Sequence, residues 1–470
     1  MENKIPIDEV KFSMESIGDE VGKIFFWRNR IFRAIRSDAV DIVKDIFSSG
    51  MLNELVDRNF FPKSWITDFQ LDNYAMVIEH EKIHPVVYPH EWTFSMLKDA
   101  ALTVLKVNLI ARKYNFQTKD CHGYNLLFDG PQIKFVDLGS FTKTDNSEGW
   151  IAYEQFKRSY YYPLLIWSSG DDYIARRMLL GHEKMPLYSY LLYKHPFFRL
   201  LNLDSLEKIT VSYFRYRRIS VLSSMDIKYK IPGLWGNLIL YLKNKKLLPF
   251  QSVNFLSMIN KIKNISSKKR NTTWGSYHNS YFDKEGNLKS NPRFDLIIRI
   301  IRDLEIKSVV ELGGNQGVLS RLLLEQTNIE SSICTDSDDS AVEICYLNSK
   351  KYKKLTVANL DFIGPLVQAR NESPAKRFKS DAVLALAVTH HLILTQGISI
   401  DDIFQTISSY TKKYVFIEFM PIGLWNGKSA PPVPSWYTRD WFRNSFKNIF
   451  TIILEEKIEK NRVLFVGKIK

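Results

Sequence analysis

Cysteine is scarce in this chain: Cys121, Cys334 and Cys345 are the only three among 470 residues. No CxxC pair occurs, so neither a disulfide framework nor a cysteine zinc site is written into the sequence, and a reducing compartment suits it. Long apolar runs are missing too. No window is long and apolar enough to span a bilayer, and the first residues, MENKIPIDEVKFSME, alternate charged and apolar side chains without a signal-type stretch. These absences imply a cytoplasmic protein. Internal repeats and low-complexity tracts are also lacking. Dense basic clusters are rare: Lys268-Lys269-Arg270 stands alone although the formal charge is +14. It lies in a polar stretch that reads as a solvated linker, with no RRM, zinc-finger or helix-turn-helix signature beside it. No specific nucleic acid is therefore expected as a partner. The long-range attraction of a basic chain equally suits an anionic substrate or peripheral contact with the inner face of a membrane.

What is present is the balance of a globular chain, 45% apolar and 25% charged, long enough for two or three domains. The strongest boundary signal is the polar run NKIKNISSKKRNTT at 260–273. It divides residues 1–260 from residues 274–470, with 261–273 as the linker. Beyond it, helical and β-branched patterns alternate. Helices are expected at Pro292–Leu304, Gly317–Gln326, Ser340–Ser349 and Ile400–Tyr410. Strands are expected at Lys307–Leu312, Ser332–Thr335, Leu355–Asn359, Asp381–Val388 and Lys413–Phe419. An edge hairpin is expected from Phe446–Leu454 and Arg462–Lys468. Such alternation predicts an α/β fold: a Rossmann-like, mostly parallel sheet with helices on both faces. Ligands then bind at the carboxyl ends of the strands, at the topological switch point.

The first of these strands runs into Glu311-Leu312-Gly313-Gly314-Asn315-Gln316-Gly317. The dinucleotide spacing GxGxxG fails here. The pattern Glu311-x-Gly313-x-Asn315-x-Gly317 instead resembles the first motif of class I methyltransferases, with Asn315 replacing the middle glycine, a residue that tolerates left-handed backbone. The resemblance implies S-adenosylmethionine as cofactor. Glu311 would face its ammonium group, Asp336 at the end of strand two its ribose hydroxyls, and Asn359 at the end of strand three its adenine amino group. Taken alone, Asp336 also fits a helix N-cap in its Asp-Ser-Asp-Asp run.

Residues Leu384–Leu392 (LALAVTHHL) and Ile417–Pro421 (IEFMP), with Trp274, Tyr277 and Tyr281 upstream, resemble bacterial methyltransferases related to a rhizobial nodulation protein. That resemblance reaches to about Phe465 and implies a carbohydrate or glycan acceptor, which can carry phosphate. Trp274, Tyr277 and Tyr281 would cover the cofactor or pack as a surface. A hydroxyl acceptor needs a base, and histidine titrates nearest neutrality. His390 and His391, after strand four, are the candidates, with Glu418 at the end of strand five to orient one of them or to hold an acceptor hydroxyl. The other reading of the histidine pair is a helix cap packed against the cofactor. No metal is expected in this part.

In the first part, Leu97–Lys113 has helical spacing and precedes Asp120-Cys121-His122-Gly123-Tyr124-Asn125 and then Asp137-Leu138-Gly139. Asp120, Asn125 and Asp137 resemble the catalytic loop and metal-binding Asp-x-Gly of protein kinases and aminoglycoside phosphotransferases. That implies an α+β domain with a helical C-lobe, and Mg²⁺-ATP if it is active. The departures are Thr118 where a His is usual, no glycine-rich phosphate loop, and no anchoring lysine; Lys23 and Arg33 are the nearest basic residues to the Val21–Ile35 hairpin pattern. A degenerate kinase-like scaffold, an active kinase and a chance match all stand at this point. Three functions follow. One is methyl transfer to a carbohydrate hydroxyl; another is a bifunctional kinase–methyltransferase or a protein methyltransferase; the third is a non-catalytic adaptor. Oligomeric state is not legible.

Overall fold

Aromatic, β-branched runs broken by polar turns fill the first eighty residues. In the computed structural model they form an antiparallel sheet of β1 (Lys11–Phe12), β2 (Gly22–Trp27), β3 (Arg30–Ile35), β4 (Ser64–Ile66) and β5 (Met76–His80), ordered β1-β2-β3-β5-β4. The β2–β3 hairpin turns through Arg28 and Asn29, both at positive φ, the backbone that matches strand twist in a two-residue connection. Helices α1 (Val40–Ser48) and α2 (Met51–Asp57) are inserted between β3 and β4. Next comes α3 (Phe94–Lys113), capped by Thr93, whose hydroxyl accepts from Met96 N at 3.4 Å. Strand β6 (Phe116–Thr118), the hairpin β7 (Leu126–Asp129)–β8 (Gln132–Phe135) and β9 (Phe141–Lys143) lead to the helices α4 (Tyr153–Phe156), α5 (Tyr162–Ser168) and α6 (Asp172–Arg177).

The structure describes residues 3–16, 18–145, 149–180, 253–268, 291–368 and 371–470, and the single positions 190, 193, 194, 272, 275 and 281. Trp274 and Tyr277, and the aromatic and arginine-rich stretch at 195–252, lie outside the described residues. Helix α7 (Phe255–Asn264) takes in the first four residues of the expected linker. The polar composition of Lys261–Asn264 concealed an apolar stripe, Phe255, Met258, Ile259 and Ile262, that is buried at helical spacing. Lys98 of α3 closes its end, donating from Nζ to the carbonyls of Lys263 and Ile265, both at 2.7 Å.

From residue 291 the alternation forms one seven-stranded sheet. Its elements are α8 (Pro292–Asp303), β10 (Ser308–Leu312), α9 (Val318–Gln326), β11 (Ser331–Asp336), α10 (Asp339–Ser349), β12 (Leu355–Asn359), α11 (Pro374–Arg377), β13 (Ser380–Ala385), α12 (Thr389–Leu394), α13 (Ile400–Ser409), β14 (Thr411–Phe419), α14 (Arg439–Ile449), β15 (Phe450–Glu459) and β16 (Arg462–Ile469). Strand order is β12-β11-β10-β13-β14-β16-β15, parallel through β14, with β16 antiparallel to both neighbours. The chain steps outward from β10 to β12, then crosses to the other side of β10 at β13. That reversal opens the crevice where α/β sheets bind ligands.

One expectation is corrected. Phe446–Ile449 belong to α14, not to the edge strand. Thr438 caps this helix, its hydroxyl accepting from Trp441 N at 3.2 Å, and Phe442 and Phe446, one turn apart, meet Phe404 edge-to-face at 5.1 and 5.8 Å. A capped, amphipathic helix overrides the β propensity of the Phe-Lys-Asn-Ile run.

Residues of α8 and α9 cover one face of the sheet; α10, α13 and α14 cover the other. The apolar cluster on that second face runs without a break into the core of the N-terminal part. Arg377 crosses the junction, buried with Glu91 in an ion pair and donating to Val86 O. Among the described residues no helix is long and apolar enough to cross a membrane. Arg377→Ala leaves Glu91 buried and uncompensated, and should cost about 3–5 kcal/mol in urea unfolding of the whole chain. A loss below about 1 kcal/mol, the level of an exposed pair, would show that the junction does not rely on it.

Candidate functional site

The turn after β10 uses left-handed backbone at every second residue: Gly313 at φ 76°, Asn315 at 52° and Gly317 at 65°. Glycine and asparagine are the residues that reach this region cheaply. Space forbids a side chain as well, since a Cβ on Gly313 would lie 2.5 Å from Val388 Cγ2 and one on Gly314 2.7 Å from Cys334 Sγ. Gly317 packs over Cys334 and Cys345 and starts α9. Its place is beneath the turn, not in the cavity wall.

Above this turn opens a cavity of about 780 Å³. The structure brings Glu311, Gly313, Asn315 and Asp336 into its lining, together with His390 and His391. Glu311 is buried, and its Oε2 accepts from Ser320 N at 3.0 Å and from the Ser320 hydroxyl. Burial pushes its pKa up to about 7, against the pull of the Ser320 hydrogen bonds. Asp336 ends β11 and receives Asp338 N on Oδ1 at 2.8 Å and Asn315 N on Oδ2 at 2.9 Å. Burial raises this carboxyl too. Asn359 does not join them: its amide donates to Ser337 O at 3.3 Å, and Leu360, Asp361 and Phe362 line the cavity in its stead. The strand ends at Asn359, and only the following turn, in which Asp361 Oδ1 accepts from Ile363 N at 3.0 Å, reaches the ligand space.

The opposite wall is built after β13 and β14. Ala387 adopts φ 54°, an uncommon conformation for a residue with a Cβ. That bend carries His390 and His391 to the cavity with ring centroids 4.0 Å apart. His390 Nδ1 is buried without a hydrogen-bond partner among the described residues. Burial, with His391 and Arg462 nearby, lowers the His390 pKa to about 3. Burial lowers that of His391 as well. Burial thus favours the neutral form of both rings, most strongly that of His390.

Glu418 is a correction. It was expected to orient a histidine or hold the acceptor, but it is fully buried between two guanidiniums and absent from the cavity lining. Arg293 Nε and Nη2 donate to it at 2.5 and 2.9 Å, and Arg462 Nη1 at 2.8 Å. Its partners lie 125 and 44 residues away in sequence, so no local pattern announced them. Sequence reasoning also missed Trp425, Gln396, Glu459 and Asn461 on this wall. Asn461 accepts from Ile422 N at 2.6 Å and donates to Gly423 O at 3.2 Å, fastening the loop that presents Trp425.

In the N-terminal part, Asn125 Nδ2 donates to Ser140 Oγ at 3.1 Å, and that hydroxyl donates in turn to Asp137. Asp137 also receives Arg33 Nη2 at 3.0 Å, while the other arm of Arg33 pairs with Asp19. Burial alone would raise the Asp137 carboxyl; Arg33 and Ser140 outweigh it and hold the pKa low. Asp120 accepts from Gln155 Nε2 at 2.5 Å and faces His122 Nε2 at 3.3 Å. Among the described residues no group of three His, Cys, Asp or Glu side chains is placed to hold a metal.

No family model matches the sequence. Over 430 residues the chain is 24% identical to nodulation protein NoeA of Rhizobium meliloti (strain 1021), covering 86% of this chain and 84% of the relative. Solved structures similar to it include the methyltransferase domain of bacterial CtHen1, with 16% identity over 38% of this chain and 98% of that one and a TM-score of 0.28. The PH0226 protein from Pyrococcus horikoshii OT3 gives 14% identity over 42% and 99%, with a TM-score of 0.33. An S-adenosylmethionine-dependent methyltransferase from Clostridium acetobutylicum ATCC 824 gives 10% identity over 42% and 99%, with a TM-score of 0.31.

The Glu311 shift has a definite sign. A carboxyl raised from 4.5 to about 7 in the fold favours folding while it is protonated and withdraws that contribution as pH rises through 7. Glu311→Gln should therefore gain urea stability relative to the parent between pH 5 and pH 8. A difference that stays constant across that range would refute the buried, proton-holding state.

Proposed function

We propose that this chain transfers a methyl group from S-adenosylmethionine to a hydroxyl of a carbohydrate acceptor. The observation that carries the reading is the meeting, in one cavity, of the Glu311–Gly317 turn, the Asp336 carboxylate and the neutral His390–His391 pair at the switch point of the sheet. The residues fit the cofactor. Gly313 and Gly314 pack so closely on Val388, Cys334 and Glu311 that neither admits a Cβ, and both line the cavity with bare backbone that a ligand can approach closely. Asp336 offers carboxylate oxygens already aligned by two backbone amides to take hydroxyl donors. Oε1 of Glu311 accepts no hydrogen bond from a described residue, which suits it to an ammonium group. Asp361 and Phe362 replace Asn359 as the pair for a purine, one polar edge and one apolar face.

When bound, the cofactor supplies an electrophilic methyl group on a sulfonium. The protein's part is to hold the acceptor oxygen in line, keep water out and take the hydroxyl proton. His391 is the better base, because the pKa of His390, at about 3, gives it little affinity for a proton. The acceptor wall supports a sugar: the Trp425 ring offers a flat apolar face, with Gln396 and Glu459 as planar hydrogen-bonding groups around it. Arg293 and Arg462 line the same cavity, but both are held by Glu418 and Arg462 also by Glu459, which favours a neutral sugar over a phosphorylated one.

For the N-terminal part, the order of sheet, inserted helices, α3, loop, hairpin and Asp137-Leu138-Gly139 supports a kinase-like ancestry. The Arg33 guanidinium, locked between Asp19 and Asp137, and Asn125, committed to Ser140, support a scaffold over phosphoryl transfer.

Titration calorimetry with S-adenosylmethionine should give micromolar binding that Asp336→Ala abolishes; an unaffected Asp336→Ala variant would overturn the cofactor site. With a neutral-sugar acceptor found by screening with radiolabelled cofactor, His391→Ala should lower kcat by about 10²–10⁴-fold with the fold intact. Since burial holds the His391 pKa under its ordinary 6.5, the parent rate should stay level from pH 7 to 9 and fall only below pH 6.5. A rate that climbs through pH 8 would assign the proton to another group.

A further inference from the structure

We infer that the N-terminal part belongs to the cofactor site, and that Arg176 is a positioning residue which, through Asp339, holds the Asp336 carboxylate where a ribose meets it. This rests on the cofactor reading above and extends it to Arg176, which lies 163 positions before its partner Asp339.

Arg176, in α6, is held on all sides. Its guanidinium lies over the Trp167 ring at 5.1 Å, and Nη1 donates to the carbonyls of His90 and Trp92 at 3.1 and 2.8 Å. Its Nη2 pairs with Asp339, the first residue of α10. A guanidinium so restrained cannot follow its partner; the partner must come to it. From Asp339 the path to the ligand is short. Asp338 caps α10, its Oδ1 accepting from Ala341 N at 2.9 Å and from Thr272 Oγ1 at 3.0 Å. The backbone amide of Asp338 donates to Asp336 Oδ1 at 2.8 Å, and the second oxygen of Asp336 takes Asn315 N at 2.9 Å. One ion pair thus bears on the first turn of α10, the Asp336 carboxylate and the glycine-rich turn.

The rest of α10 confirms which way it faces. Glu343 accepts from Ser95 N at 3.1 Å and from the Ser95 hydroxyl. Tyr346 OH and Lys350 Nζ both donate to Asp99, at 2.7 and 2.5 Å. Positions 339, 343, 346 and 350 share one helical face, and that face meets α3 and α6 of the N-terminal part. Charge makes the start of the helix sensitive. Asp336, Asp338, Asp339 and Glu343 gather there, and Arg176 is the cation that faces Asp339. Without it, the carboxylates repel one another across a poorly solvated gap, and the cap that aligns Asp336 is pushed out of register.

The test uses the full chain with Arg176→Ala and Arg176→Lys. Titration with S-adenosylmethionine should show Arg176→Ala binding about tenfold more weakly, within the range of coupled sites. Arg176→Lys keeps the charge without the paired carbonyl contacts and should fall between it and the parent. Hydrogen exchange of the unliganded chain supplies a readout independent of the cofactor. Segments 313–317 and 336–341 should exchange faster in Arg176→Ala, while β13 and β14 keep their protection. A folded Arg176→Ala chain with parental affinity and parental exchange in those segments overturns the inference. If the parent itself binds no S-adenosylmethionine, the cofactor reading fails, and exchange alone judges the coupling by the same criterion. If Arg176→Ala does not fold, Arg176→Lys decides: parental affinity and exchange there overturn the inference, and a shift in both upholds it.

Discussion

A carboxylate with no access to water persists in a fold only if opposite charges and hydrogen bonds surround it. Glu418 is such a group, and three distant segments converge to satisfy it. Arg293 comes from the first turn of α8 and Arg462 from the first residue of β16, while Glu418 itself sits near the end of β14. The pairing sets how far β16 is inserted beside the last parallel strand. That register determines where the β15–β16 turn emerges, with Glu459 and Asn461 on it. Asn461 in turn fastens the loop carrying Trp425. The cavity wall that follows β14 therefore hangs from the buried charge cluster of Glu418, Arg293 and Arg462.

The cavity wall formed by Asp336 and the turn after β10 is secured from another direction. Strands β10, β11 and β12 present their carboxyl ends to it, and the helix following β11 lies with its charged face on the N-terminal part. The two parts share one apolar cluster, and at their junction Arg377–Glu91 is buried and Arg176–Asp339 half-buried. Burying this much charge is costly unless each group is matched. The matching fixes one relative placement of the two parts.

Much of the C-terminal fold was legible because its information is local. Hydrophobic period distinguishes β10 to β14 from the helices between them, and Gly313, Asn315 and Gly317 announce a turn that needs left-handed backbone. The histidine pair was legible for the same reason, as two polar side chains closing an apolar strand. What escaped was non-local or lay in irregular backbone. Glu418 looked like a strand-end acid, and nothing near it in sequence marks Arg293 and Arg462 as its partners. Asn359 had the right position at a strand end, yet the chain reaches the cavity only in the turn that follows, at Leu360 to Phe362. Phe446–Ile449 read as strand because the cap at Thr438 and the packing on Phe404 are invisible to propensity. Arg33 was noted only as a poor substitute for a lysine; its closure by Asp19 and Asp137 needs the fold.

The separate anchoring of the two walls has an evolutionary consequence. The cavity residues after β14 sit on two loops, 420–427 and 459–462, joined to each other through the side-chain amide of Asn461. A lineage can exchange these loops as one cassette, keeping the asparagine and changing the aromatic platform, without disturbing Asp336 or the turn after β10. Divergence among relatives of this chain should then be recorded mainly in these two loops, while Asp336 and the turn after β10 stay constant.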